Sequence, residues 1–475
     1  MNDHDSTLSK FISWLQRNKI FIHPQIKLVQ DDENNKRISV YATVTPPELN
    51  QIILKIPKSL VLCPRNSDIA YLLDSFKIKK EIVRLCLTFM YEKARGRESF
   101  WSEYVDVLPD FERIPRLWRD QEKELLKGTE VAAIRGLDET DLLKTWEKFI
   151  QPVFNSCRLF SNTALFNYTF FIKCMSVVYS RCFEIDEYRP LALVPFADLL
   201  NHTCFEETVH FVTCFDVCGE CGRLSCHCND KKHGSDDPCI NDDTDLDDPC
   251  EMVVVTRVEP HSEILNTYGD LGNDVLVSRY GFAIPDNPHD TVSILPADIF
   301  SQINGDRKSL WTRHGNNIIT AVVKDFPSLL PTNTQEFPLN DRLNIKFNGE
   351  PSFELVCLLF LSTVEYSCSG TDYTPLTKTM RSFIQIYLDI RSSTVPPLCR
   401  PILHSAFKKL LKCLDDRGSR YLDTSLTWHD YDYLLVNASF TLDYNKRIAF
   451  TVLRNEKKIL EKCRDLCNFI QSRCE

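Results

Sequence analysis

The sequence predicts an α+β fold in which a small β core is interrupted by a helical insertion and followed by a helical domain. Three observations lead there. Strand-like segments come in two groups, "RISVYATV" with "QIILKIPKSLVL" early, and "LALVPFADLL", "VHFVTCF", "EMVVVTRV" and "EILNTY" in the middle. Between the groups, residues 67 to 183 carry mostly helical patterns. After one more strand, "TVSILP", the pattern is largely helical to the end. This order differs from the regular strand–helix alternation of a doubly wound parallel sheet.

Each element has a local reason. In "LSKFISWLQRNKI", Phe11, Leu15 and Ile20 fall broadly on one side of a helix. "RISVYATV" alternates and is β-branched, whereas "QIILKIPKSLVL" is a strand interrupted by Pro57. "KEIVRLCLTFMYEKA" and "TDLLKTWEKFIQPVF" have helical spacing. "ELVCLLFLSTVEY" is the longest apolar run, bounded by Glu354 and Glu365, and reads as a buried helix too short to span a bilayer. No internal repeat is evident. The domains follow as 1–66 (first helix and first part of the β core), 67–190 (helical insertion), 191–290 (rest of the core, with a Cys-rich insertion at 214–250) and 291–475 (helical domain).

Composition narrows the function. With 475 residues, 43% hydrophobic and 26% charged, the chain reads as soluble and globular, with length for more than one domain. A net charge of −10 argues against a general polyanion binder, so direct nucleic-acid binding is not expected. It is compatible with a basic protein partner. The start "MNDHDSTLSK" has no basic region leading into an apolar run, so neither a secretory leader nor a membrane role is expected. Most of the 20 cysteines are scattered in apolar segments; Cys63, Cys86, Cys174, Cys357 and Cys413 read as reduced, buried, small hydrophobes.

Two stretches carry chemistry. In "LVPFADLLNH", an apolar strand ends at Pro195, and Asp198, Asn201 and His202 follow as a polar cluster. In "NTYGDLGNDVLVSRYGF", two Tyr-Gly pairs, at Tyr268 and Tyr280, flank one short helix. Asn273 and Asp274 read as its caps and Gly281 as its stop. Singly, these residues are as well read as core aromatics, a turn-forming asparagine and a structural histidine.

Taken in order, the set resembles the SET-domain protein lysine methyltransferases. More narrowly it resembles the branch containing the Rubisco large-subunit methyltransferase and the fungal ribosomal-protein lysine methyltransferases. Supporting segments are "SFWSEYVDVLP" (99–109), similar to Trp-x-x-Tyr-x-x-x-Leu-Pro, then "LWRDQEKELLKGT", "YSRCF" (179–183) and "NKRIAFTVLRNEKKIL". The resemblance implies a knotted β core in which the Asn-His and Tyr-Gly segments pack together. It implies S-adenosylmethionine as methyl donor, a protein lysine as acceptor and a C-terminal helical domain that grips the substrate. It further implies Tyr268 as the catalytic phenol. Arg181, Asn201, His202 and Tyr268 would line the cofactor site, and Asp198 and Tyr280 the lysine channel. The implied substrate is a non-histone protein, a basic ribosomal protein of the large subunit, in the cytoplasm and also the nucleus.

Two departures from that family stand out. Arg37 and Ser39 occupy the positions of its first Gly-x-Gly, where the backbone nears the cofactor. Cys218, Cys221, Cys226 and Cys228 form Cys-x-x-Cys followed by Cys-x-Cys, a set suited to a structural zinc, with His227 or His233 as substitutes. The competing reading of that stretch is an acidic insertion with incidental thiols. From these departures comes the rival function, a catalytically inactive SET-like module with a zinc-stabilised protein-interaction surface. A thiol oxidoreductase is a poorer reading, because the Cys-x-x-Cys lies in a Gly-rich insertion rather than at a helix start.

Overall fold

The computed structural model describes residues 3–31, 37–157, 165–224, 248–302, 305–326, 343–364, 373–437 and 442–475. The fold is α+β. The chain divides into two compact units, Met1–Ile114 with Asp138–Asp270 and Arg279–Gly281, and Pro115–Leu137 with Leu271–Ser278 and Phe282–Glu475.

The first unit holds the strands β1 (Phe21–Ile22), β2 (Ile26–Asp31), β3 (Arg37–Ala42), β4 (Ile52–Pro57), β5 (Cys182–Glu184), β6 (Leu191–Leu193), β7 (Asn201–His202), β8 (Val209–Val212), β9 (Pro249–Val254) and β10 (Leu265–Asn266). β1, β4, β9 and β8 form one antiparallel sheet in that order. β2 pairs with β3, and β5 with β6, both antiparallel. β4 ends at Pro57, as the missing N–H of proline requires.

The sheets pack against the helices Asp3–Arg17, Glu81–Arg95 and Tyr168–Arg181. Phe11 and Leu15 are buried on the packed face of the first helix, as their spacing predicts; Ile20 is buried too, but the helix ends at Arg17, so Ile20 reaches the core from the turn that follows. "TDLLKTWEKFIQPVF" is helical from Thr140 to Ser156 but passes through a π turn, Trp146–Ile150, just before Pro152.

The second unit is mainly helical. Its core includes the apolar helix Phe353–Thr363, the helices Thr374–Leu388 and Arg400–Gly418, and the long helix Tyr444–Cys474. One further strand sits within the region whose pattern is largely helical. β12 (Leu343–Lys346) pairs antiparallel with β11 (Thr291–Ile294), the "TVSILP" strand. An isolated strand cannot satisfy its backbone, so β11 needed a partner that helical periodicity does not reveal. Cys63, Cys86, Cys174, Cys357 and Cys413 are free and buried. Among the described residues, no helix is long and apolar enough to cross a membrane.

Candidate active site

The site lies where the Asn-His and Tyr-Gly segments meet. β7 and β10 are parallel neighbours, with Asn201 opposite Leu265 and His202 opposite Asn266. β10 is fixed on other sides too. Ile264 N–H donates to the Val40 carbonyl (2.7 Å), and Thr208 N–H donates to the Leu265 carbonyl (2.9 Å).

Three rings stack at the end of this pair. His202 and Tyr268 are 4.9 Å apart at 23°, and Tyr268 and Tyr280 are 4.8 Å apart at 24°. The Tyr268 N–H donates to His202 Nδ1 (3.0 Å), and its hydroxyl donates to the Leu200 carbonyl (2.9 Å). The two glycines make this possible. Gly269 and Gly281 have φ of +108° and +74°, values that turn the chain sharply just after each tyrosine. A Cβ on Gly281 would also stand 2.8 Å from the Arg113 carbonyl carbon. The short helix begins at Asn273, so Gly272 rather than Asn273 is its cap. The Asn273 amide is turned inward onto Asp290 Oδ2 (2.8 Å) and the Ile284 carbonyl (2.8 Å), which a buried side chain needs more than a helix end does.

Arg181 ends the helix Tyr168–Arg181, and the β5–β6 hairpin carries the chain from there to Asp198. At Phe196 the backbone takes φ +77° and ψ −46°, a rare conformation for a bulky residue. Such local strain costs about 1–3 kcal/mol and recurs at functional sites. It turns Asp198 into the interior, where Oδ2 accepts from the Tyr104 hydroxyl at 2.6 Å. Arg181 donates to the Asp198 carbonyl (2.7 Å) and pairs with Glu112 (2.8 Å). Asp198 Oδ1 is buried and has no hydrogen-bond donor. Burial pushes the Asp198 carboxyl up to about 6, against the pull of Arg181 and the Tyr104 hydrogen bond. Burial also raises the Tyr268 phenol well above its usual range, with Arg181 opposing. For Arg181, burial disfavours the charge, but Glu112, Asp198 and Tyr268 outweigh it and hold the guanidinium ionised.

Asn201 turns its amide onto Ser39 Oγ (2.9 Å) and Glu263 Oε1 (2.5 Å). Ser39 therefore sits on β3 as a small side chain touching the Asn-His segment. The Arg37 side chain lies outside the described part of the structure.

The structure thus gathers Arg181, Asp198, Asn201, His202, Tyr268 and Tyr280 within the first unit. The residues holding them escaped the sequence reading: Tyr104, Glu112, Glu263 and Arg279. Tyr104 stands inside the quoted Trp-x-x-Tyr segment, so a signal existed for it. Glu263 and Arg279 likewise stand inside the quoted "EILNTY" and "NTYGDLGNDVLVSRYGF" stretches, whereas Glu112 carries no such signal. Of the four cysteines, Cys226 and Cys228 lie outside the described residues. Cys218 and Cys221 lie in a tight turn in which Gly222 N–H donates to the Cys218 carbonyl (2.7 Å). No group of three or more metal-ligating side chains occurs among the described residues, so the zinc expectation gains no support from them.

No family model matches the chain. It is 28% identical over 342 residues to ribosomal lysine N-methyltransferase 3 of Saccharomyces cerevisiae, covering 57% of this chain and 62% of that protein. It is 20% identical over 484 residues to an uncharacterised protein of Schizosaccharomyces pombe, covering 95% and 94%. Against the N-lysine methyltransferase SETD6 of Bos taurus it is 22% identical over 313 residues, covering 62% and 61%. The chain therefore spans less than two thirds of the length of these two named enzymes. Among solved structures, it is similar to the SET domain of LSMT bound to lysine and AdoHcy (TM-score 0.63, 18% identity, 99% of this chain and 93% of that one). Rubisco LSMT bound to AdoMet gives a TM-score of 0.62 at 17% identity, with the same coverage. At these identities the structural likeness is one of fold.

Proposed function

We propose that this chain, a SET-domain protein of the Rubisco large-subunit methyltransferase-like branch, is an S-adenosylmethionine-dependent protein-lysine N-methyltransferase. The observation that carries the reading is the His202–Tyr268–Tyr280 ring stack beside a buried carboxylate with one oxygen lacking a donor. The names of the curated relatives support it. We further propose a non-histone substrate, a basic protein of the large ribosomal subunit, met in the cytoplasm or nucleus. The name of the Saccharomyces cerevisiae relative, ribosomal lysine N-methyltransferase 3, favours this substrate, and the net charge of −10 suits it.

The residues present fit the cofactor. Ser39 is small, and its hydroxyl contacts Asn201 directly, so the loss of the second glycine of Gly-x-Gly does not fill that side of the site with a bulky group. Asn201 and His202, fixed by β7–β10 pairing, Ser39 and Glu263, would hold it, with Arg181 alongside. When bound, S-adenosylmethionine supplies an electrophilic methyl group on a sulfonium.

The chain's own residues contribute alignment. Transfer to a neutral amine develops little new charge, so orientation and desolvation dominate. Tyr268, anchored at both its N–H and its hydroxyl, keeps its proton and so does not compete as a nucleophile. Tyr280 walls the acceptor side. Asp198 offers a counter-charge to an arriving lysine ammonium, and burial of that amine favours its neutral, reactive form.

Full-length protein with methyl-labelled S-adenosylmethionine and large-subunit ribosomal proteins tests the reading. Label on a lysine with the wild type, lost with Tyr268→Phe, is the expected result. Calorimetric titration with S-adenosylmethionine separates the rival. A well-folded chain that binds none would leave only the non-catalytic module.

A further inference from the structure

The geometry points to Arg279 as a positioning residue that fixes the Tyr280 wall and thereby how many methyl groups the acceptor nitrogen can hold. The inference rests on the lysine methyltransferase reading above. Arg279 lies in the π turn Leu276–Tyr280, the wider helical form that recurs at functional sites. Its Nε donates to the Tyr179 carbonyl at 2.6 Å, and its NH2 reaches Cys182 Sγ at 3.8 Å. Its guanidinium stands 5.4 Å from the Tyr280 ring centroid. One side chain therefore bonds the segment on both sides of Arg181 while bearing on the outer ring of the stack.

The other side of Tyr280 is equally constrained. Gly281, at φ +74°, passes so near the Arg113 backbone that no Cβ fits. Tyr280 is held by the residue before it and the residue after it, in addition to its stack on Tyr268. Gly281 is dictated by backbone geometry. Arg279 is a side-chain choice, so it is the hold that substitution can release. The room beside the amine decides whether methylated lysine can turn for another transfer, and the placement of this ring sets that room.

The test compares Arg279→Leu and Arg279→Lys with the wild type on large-subunit ribosomal proteins. It reads kcat, KM for S-adenosylmethionine, Tm and the mono-, di- and trimethyl products by intact-mass spectrometry. Expected for Arg279→Leu is a changed product ratio and a kcat lowered about tenfold, with KM for the cofactor within about twofold. Arg279→Lys keeps a cation and one donor and should recover part of the loss. An unchanged product ratio with unchanged kcat in Arg279→Leu would overturn the role. So would equal losses of kcat, cofactor affinity and Tm in both variants, which would mark fold support alone. A wild type that methylates no lysine overturns the underlying reading, and this role with it. An active wild type with indifferent variants overturns the role only.

Discussion

Each unit gathers one tyrosine, one arginine and two carboxylates, and the two sets are wired differently. In the first unit they are Tyr104, Glu112, Arg181 and Asp198; in the second, Glu130, Arg417, Tyr421 and Glu456. In the second set every carboxylate oxygen accepts a hydrogen bond. Glu130 receives Ser293 and Arg417, while Glu456 receives the Glu130 N–H, Arg417 and the Tyr421 hydroxyl. That network ties together segments far apart in sequence and leaves no carboxylate oxygen without a donor. In the first set Asp198 Oδ1 accepts nothing. A buried oxygen left open costs free energy, so its retention calls for a reason outside folding. Saturation marks a structural staple; an open valence beside a ring stack marks a site.

The largest effect should come from breaking the staple. Arg417→Ala leaves two buried carboxylates without their cation and should cost about 3–5 kcal/mol in stability. Denaturant titration checks this, with the activity of the folded fraction little changed. Next, Tyr268→Phe should lower methyl transfer about 10²-fold or more by loosening alignment. Its stability should fall by only about 1 kcal/mol, for one lost hydrogen bond. Single-turnover kinetics alongside thermal melts would separate the two. If Tyr268→Phe instead melts the protein and leaves turnover intact, the contrast between staple and site collapses.

Tyr104→Phe sharpens the contrast through pH. The Tyr104 hydroxyl stabilises the ionised Asp198, so its removal should raise the Asp198 pKa further above about 6. The groups facing Asp198 are Tyr104, Arg181, Glu112 and Tyr268. The acidic limb of the kcat/KM profile should move toward neutral pH by roughly one pH unit, since a hydrogen bond to a charge is worth about 1.5–3 kcal/mol. An unmoved limb would detach Asp198 from the reaction.

The smallest effect concerns stability. Asp198 has a folded pKa raised above its unfolded value, so the folded state holds the proton longer. Its contribution is full below about 4 and is lost as pH rises through about 6. Asp198→Asn should remove that slope from the pH dependence of Tm and change stability at neutral pH by no more than about 1 kcal/mol, in either direction. Activity should nonetheless fall. Glu456→Gln, made in the saturated network, should be the costlier of the two for folding.

Much of this was legible in the sequence because it is local. The amphipathic first helix, the buried run at Phe353–Thr363, the strand stopped by Pro57 and the two left-handed glycines after tyrosine each follow from a few neighbouring residues. The ordered motifs likewise gathered Asp198, Asn201, His202, Tyr268 and Tyr280 before any coordinates. Other features depend on partners remote in the chain. Tyr104 meets Asp198 across 94 residues, Arg181 meets Glu112 across 69, and Asn201 meets Ser39 across 162. β12 became visible only as the partner that β11 lacked. Periodicity and turn chemistry are written in adjacent side chains, so the sequence by itself determined the elements and the residue types of the site. Which carboxylate is saturated and which is left open depends on which distant donors the packed chain delivers, and only the tertiary structure decided that.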